Sequence, residues 1–295
     1  MPDSRIPDNQ IDEAFLGVTR SVTGKVWRVR DAEPRLASAI AQTLNVPEII
    51  GRVLAGRGVD VDSAGDYLNP SLRNFMPDPS VLVDMNAAAD RIAQAVIGGE
   101  TAAVFGDYDV DGATSSALLK GFMNAVGGRL RIYIPDRIKE GYGPNTTALC
   151  RLAEEGASLV VTVDCGITAY EPLEAARGVG LDVIVVDHHQ AEPRLPEALA
   201  VVNPNRLDDE SGLGQLAAVG VTYLLIVAVN RALRAKGWYS PARPEPNLLD
   251  WLDLVALGTV CDVVPLTGLN RALVAQGLKV MGARRNQGLA ALADV

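Results

Sequence analysis

From Thr101 to about residue 203, short and near-continuously apolar runs alternate with amphipathic ones, and that alternation leaves few folds open. The runs are AAVFGD, RLRIYIPD, SLVVTVD, DVIVVD and ALAVVN; ATSSALLKGFMNAVG, PNTTALCRLAEEG and AYEPLEAARGVG separate the first four. Runs that are apolar throughout predict strands buried on both faces, and the segments between them carry the spacing of helices. Strand–helix alternation of this kind predicts an α/β class: a doubly wound, mostly parallel sheet flanked by helices. Helical N-terminal and C-terminal segments enclose it. PRLASAIAQTLNV, PEIIGRVLAGRG and NAAADRIAQAVIGG precede the sheet; LAAVGVTYLLIVAVNRALRAKG, NLLDWLDLVALGTV and NRALVAQGLKVMGARR follow it. DYLNPSLRNFMPDPS, rich in proline and polar residues, reads as a connector. The expected organisation is a poorly ordered polar tail over 1–30, a helical region over 31–100 and the α/β domain over 101–295.

Composition narrows the function. A chain of 295 residues that is 48% apolar buries a sizeable core. No apolar run reaches the ~18 residues of a membrane span, and the N-terminus MPDSRIPDNQIDEAF lacks the apolar stretch of a signal peptide. The expectation is a cytoplasmic protein with no membrane partner. Cys150, Cys165 and Cys261 form no CxxC pair, so they predict small buried residues rather than a disulfide framework or a zinc site. A net charge of −9 argues against a surface that coats nucleic acid, yet suits an enzyme whose metal ions supply local positive charge.

In an open parallel sheet, chemistry gathers at the carboxyl ends of the strands. The first strand delivers Asp107, Asp109 and Asp111 in GDYDVDG. The third delivers Asp164, and the fourth Asp187, His188 and His189. In extended chain, residues i, i+2 and i+4 share a side, and three carboxylates there repel one another unless a cation intervenes. A solvated acidic turn is the simpler alternative for this segment. An EF-hand is not, because Leu118 stands where that loop needs Glu. His188 and His189 are the only histidines in the chain. Adjacent residues at a strand end point different ways, so one can bind metal while the other faces a substrate. Asp262 lies in the apolar stretch LVALGTVCDVVPL, where a bare carboxylate is costly. It needs a metal, a helix cap or a salt bridge. Oxygen-rich donors with imidazole suit Mn²⁺ or Mg²⁺ better than zinc. Several such acids would hold two ions ~3.5–4 Å apart, an arrangement that clamps a phosphate and activates water.

These motifs resemble a known family. GDYDVDGATSSALL, VTVDCGIT, VVDHH and ALGTVCDVVPL are similar, in order, to motifs I to IV of the DHH phosphoesterases. RIKEGYGPN and VVNPN resemble its RecJ branch most, and the likeness covers about residues 75–290. The resemblance implies a 5′→3′ exonuclease of single-stranded DNA that needs two Mn²⁺ or Mg²⁺ ions and works in DNA repair and recombination, with replication or repair proteins as possible partners. It implies that Asp107, Asp109 and Asp164 hold one ion, and that Asp111, Asp164, His188 and Asp262 hold the other. His189 would contact the scissile phosphate, with Asp187 orienting both histidines. Phe105 stands where related enzymes often carry a histidine.

For the substrate, Gly112, Thr114, Ser115 and Ser116 either present N–H groups to a phosphate or cap a helix. Arg137 either pairs with a DNA phosphate or makes a surface salt bridge. Tyr142 either stacks on a base or only packs. RecJ-like chains continue into a DHHA1 lobe and often an OB-fold, and the expectation is that both are absent from this chain. The alternatives are a DHH phosphodiesterase of short oligonucleotides or cyclic dinucleotides, and a non-catalytic DNA-binding or scaffold protein.

Overall fold

The computed structural model describes residues 14–30 and 32–295, and the chain divides into two compact units, one ending at Asn69 and one running from Pro70 to Val295. Residues 1–13, part of the expected polar tail, lie outside the described residues.

In the first unit, helices α1 (Pro34–Leu44), α2 (Glu48–Ala55) and α3 (Val61–Leu68) close around Ala37, Ile40, Leu54, Val59 and Ala64. Helix α1 opens on Pro34, whose missing N–H is one the first turn leaves unpaired in any case. Helix α3 takes in the DYL assigned above to a connector. Asp60 starts it, accepting the Ser63 N–H at 2.7 Å.

The second unit opens with a short helix α4 (Leu72–Phe75), also inside the expected connector, and then α5 (Met85–Gly98). The strand–helix alternation follows as β1 (Thr101–Gly106), α6 (Val110–Ala125), β2 (Arg129–Tyr133), α7 (Thr146–Glu154), β3 (Leu159–Val163), α8 (Tyr170–Gly178), β4 (Asp182–Val186) and β5 (Ala200–Val202). Helices α9 (Ala218–Ala235), α10 (Leu252–Cys261), α11 (Gly268–Gly282) and α12 (Gln287–Ala293) complete it. The five strands pair in the order β2-β1-β3-β4-β5, every pair parallel.

Side chains alternate across this sheet as the two-residue period requires. Ala102, Val104, Val161, Val163, Ile184 and Val186 face α5, α6, α9 and α10. Ala103, Phe105, Val160, Val183 and Val185 face α7 and α8. Strand β2 is an edge strand with Ile132 partly exposed, so double-sided burial holds for the inner strands and not for it. Helix α9 is long and apolar enough to cross a membrane, but 72% of it is buried inside the protein. It is a core helix: Leu224, Leu225 and Ile226 are fully buried, each worth ~1.5–3 kcal/mol of apolar burial.

Strand order fixes where a site can form. From β1 the chain goes outward to β2, then returns to β3 on the other side of β1. The loops leaving β1 and β3 therefore diverge, opening a crevice at the carboxyl edge, as in other sheets with such a switch in order.

Candidate metal centre

Sheet register brings the acids into one row. Gly106 pairs with Val163 and Val163 with Val186, so the next residues along are Asp107, Asp164 and Asp187. The ladder runs on through them: the Asp107 N–H donates to Val163 O at 3.3 Å, Asp164 N–H to Val186 O at 3.0 Å and Asp187 N–H to Val202 O at 3.1 Å. Asn203 follows β5 in the same row. Three groupings of ligand atoms result, each within 4.8 Å: Asp107, Asp109 and Asp164; Asp111, His188 and Asp262; and Asp164, His188 and His189. Asp262 arrives from the C-terminal end of α10, whose next residue, Val263, holds the left-handed conformation at φ 61°.

The carboxylates differ in what else they do. Asp109 caps α6, accepting the Gly112 N–H at 3.0 Å. Asp111 caps α9 from a distance in sequence: Ala218 N–H donates to its Oδ2 at 2.6 Å and Val219 N–H to its Oδ1 at 2.8 Å. Helix α10 must pass close beneath. A Cβ on Gly258 would lie 2.8 Å from the Val219 methyl and 3.2 Å from Asp111 Oδ1. Asp107 Oδ1 and Asp262 Oδ2 are buried with no hydrogen-bond partner among the described residues.

The histidines divide their work. His188 Nδ1 lies 3.0 Å from the Leu216 carbonyl, which only accepts, so Nδ1 carries a proton and Nε2 points the other way. Nε2 lies 3.3 Å from Asp164, 3.7 Å from Asp262 and 3.8 Å from Asp111. A lone pair facing three carboxylates is repulsive, so a proton or a cation must sit among them. His189 Nδ1 bonds Asp187 Oδ1 at 2.7 Å, which leaves Nε2 of a half-exposed ring for another partner. Asp187 orients both residues, since its Oδ1 also accepts the His188 and His189 N–H groups and its Oδ2 that of Ile167. Asn203 and Asn205 donate to the carbonyls of His189 and His188 at 2.9 and 2.6 Å. Nothing in sequence spacing singled out these asparagines or the Leu216 carbonyl as supports of the site.

Electrostatics of the metal-free cluster follow from this crowding. Burial, with repulsion from Asp111 and Asp109, pushes the Asp164 carboxyl up to about 8. Burial and Asp262 push Asp111 up to about 6. Burial also raises Asp107 and Asp262, each next to Asp109. Burial opposes the charged form of His188, yet the hydrogen bond to Asp164 and the carboxylates of Asp111 and Asp262 lift it to about 9. Asp187 runs the other way: it is deeply buried, but the His189 ring and three N–H donors hold it below the ordinary value. Raised acids around one imidazole, with two orphaned carboxylate oxygens, fit divalent cations.

Gly112 gives its N–H to Asp109. Thr114 is buried and its hydroxyl donates to Val110 O at 2.8 Å, while the Ser115 and Ser116 hydroxyls are buried without hydrogen-bond partners among the described residues. Arg137 lies over the Tyr108 ring, 4.9 Å from its centroid, and makes no salt bridge with a described residue. The Tyr142 hydroxyl donates to the Asp164 carbonyl at 3.1 Å, and its ring meets His189 edge-on at 6.3 Å. Of the cysteines, Cys165 is buried, Cys150 half-buried and Cys261 exposed, so burial holds for one of the three.

Comparisons with known proteins identify the family in which this fold occurs. The profile described as DHH family, N-terminal domain, matches residues 101–259. The chain is 35% identical to the single-stranded-DNA-specific exonuclease RecJ of Bacillus subtilis over 89% of its own length and 32% of that protein. It is 38% identical to RecJ of Escherichia coli K12 over 85% of its length and 43% of that protein. Among solved structures, RecJ of Thermus thermophilus in complex with Mn²⁺ superposes with a TM-score of 0.71 at 31% identity, over 90% of this chain and 36% of that one. An exonuclease RecJ bound to manganese gives a TM-score of 0.62 at 37% identity, over 72% of this chain and 52% of that one. The chain thus spans about a third to two fifths of these curated relatives. A superposable fold, a row of acids at the carboxyl edge of the sheet and a profile covering more than half the sequence lead to one conclusion: this chain belongs to the DHH family.

Proposed function

We propose that this chain is the catalytic core of a metal-dependent phosphodiesterase that removes nucleotides from single-stranded DNA in the 5′→3′ direction, in the cytoplasm and in the service of DNA repair and recombination. One observation carries the reading: His188 Nε2 and the carboxylates of Asp107, Asp109, Asp111, Asp164 and Asp262 fall into groups whose ligand atoms lie within 4.8 Å of one another and which share Asp164 and His188. Asp107, Asp109 and Asp164 would hold one Mn²⁺ or Mg²⁺; Asp111, Asp164, His188 and Asp262 would hold the second, with Asp164 shared. Asp111 can do so while capping α9, because each carboxylate oxygen has two lone pairs. Bound ions of this kind supply the positive charge that polarises a phosphodiester and activates the attacking water.

The chain's own residues do the rest. His189, with Nδ1–H given to Asp187, offers Nε2 to a phosphate oxygen, and Asp187 keeps that ring in place through the reaction. Arg137, stacked on Tyr108 and without a carboxylate partner among the described residues, offers its guanidinium to a phosphate of the strand. The curated relatives named above are single-stranded-DNA-specific exonucleases, and the two RecJ structures named above carry manganese.

Substrate class is tested by comparing kcat/KM in Mn²⁺ for a 20-nucleotide single strand and for a dinucleotide. A higher value on the 20-mer, with mononucleotides released from the 5′ end, supports the reading. Preference for the dinucleotide would reassign the chain to short-oligonucleotide hydrolysis. Tight binding of the 20-mer without cleavage would make it a binding protein.

A further inference from the structure

We propose that Tyr142 is a positioning residue for this centre: its hydroxyl holds the Asp164 backbone in the left-handed conformation that aims the shared carboxylate at both ions. The inference rests on the metal-dependent reading above and deepens it.

Asp164 has φ 61°, a conformation that costs a non-glycine residue energy and persists only when its surroundings impose it. The turn Asp164–Ile167 is tied at each step. Cys165 O accepts the Thr162 hydroxyl at 2.9 Å, and Ile167 N–H donates to Asp187 at 3.0 Å. The Asp164 carbonyl lies just past the end of β3, and among the described residues its donor is the Tyr142 hydroxyl at 3.1 Å.

The segment bearing Tyr142 is itself anchored. Glu140 accepts the Asp136 N–H at 2.9 Å and the Tyr133 hydroxyl at 2.5 Å, and Tyr133 stacks on Phe105 of β1 at 5.1 Å. Gly143 lies against Cys165, with a Cβ there 4.0 Å from the cysteine's. Tyr142 thus ties the β2–α7 loop to the turn that presents Asp164. A tyrosine serving only to stack on a base would not need its oxygen; here the oxygen makes the contact.

The test is Tyr142→Phe, which removes one atom and leaves the ring. Mn²⁺ binding is measured without DNA by calorimetry, and the bound ions by electron paramagnetic resonance. We expect at least one Mn²⁺ to bind about five- to tenfold more weakly, the loss of one hydrogen bond. The manganese spectrum should change, and kcat on single-stranded DNA should fall with KM unchanged. Tyr142→Ala should weaken Mn²⁺ to the same extent as Tyr142→Phe. Wild-type Mn²⁺ affinity and spectrum in Tyr142→Phe would overturn the proposal, whatever happens to DNA turnover. So would a rise in KM confined to Tyr142→Ala, which would mark a stacking ring. Because affinity is read without DNA, a wild type that binds Mn²⁺ but does not cut DNA contradicts the activity and leaves this test intact.

Discussion

At the scale of single residues, two buried acids of the same cluster should behave oppositely when removed. Asp164 faces other carboxylates, and burial with their repulsion raises it to about 8. Asn tolerates the left-handed backbone and carries no charge. Asp164→Asn should therefore stabilise the metal-free chain by about 1 kcal/mol, raising Tm by roughly 2–4 °C, while abolishing the Mn²⁺-induced rise in Tm. Thermal melts in EDTA and in Mn²⁺ check both parts. The candidate ligands were legible in the sequence because Asp and His at the ends of apolar strands are conspicuous there. Tyr142, Asn203, Asn205 and the Leu216 carbonyl were less so. Each acts through a backbone atom, and a backbone carbonyl leaves no trace in residue type.

At the scale of elements, Asp111 links α6 to α9. Its two oxygens accept the first N–H groups of α9, 107 and 108 residues away in sequence. Those donors are buried, so removing the acceptor leaves them unsatisfied. Asp111→Ala should cost about 2–3 kcal/mol in the metal-free chain, whereas Asp111→Asn, which keeps one acceptor, should cost less. Urea denaturation of the two variants checks this. Equal stability of Asp111→Ala and wild type would show that the cap contributes nothing.

The five strands were readable from their apolar runs, and so were the long helices. Helix α3 was hidden because DSAGDYL has few apolar residues, and its start depends on the Asp60 cap. The exposed edge of β2 was hidden because strand order, not composition, decides which strand lies outermost.

At the scale of the molecule, the raised groups couple stability to pH. Asp164 at about 8 and Asp111 at about 6 lie above the ordinary carboxylate value, so each disfavours the folded state increasingly as pH rises toward its folded value. His188, raised to about 9, stabilises fully below its ordinary value and loses that contribution as pH climbs through 9. All three lower stability as pH rises, Asp111 below about pH 6 and Asp164 and His188 above it. Between about pH 6 and 9 the Tm of the metal-free chain should fall, on the order of 5 °C, and Mn²⁺ should raise Tm more at pH 8 than at pH 6. A Tm that rises with pH in EDTA would contradict the cluster's electrostatics. Asp187, held low by its donors, adds a loss of stability only in acid.

All of this turns on whether the row of acids carries out metal-dependent phosphodiester hydrolysis. The direct measurement is Mn²⁺-dependent release of nucleotides from 5′-labelled single-stranded DNA, with Asp164→Ala as the control. Release by the wild type, abolished by EDTA and by Asp164→Ala, is the predicted result. Manganese bound by the wild type without any release, or release that survives in Asp164→Ala, would contradict the assignment of hydrolysis to these residues.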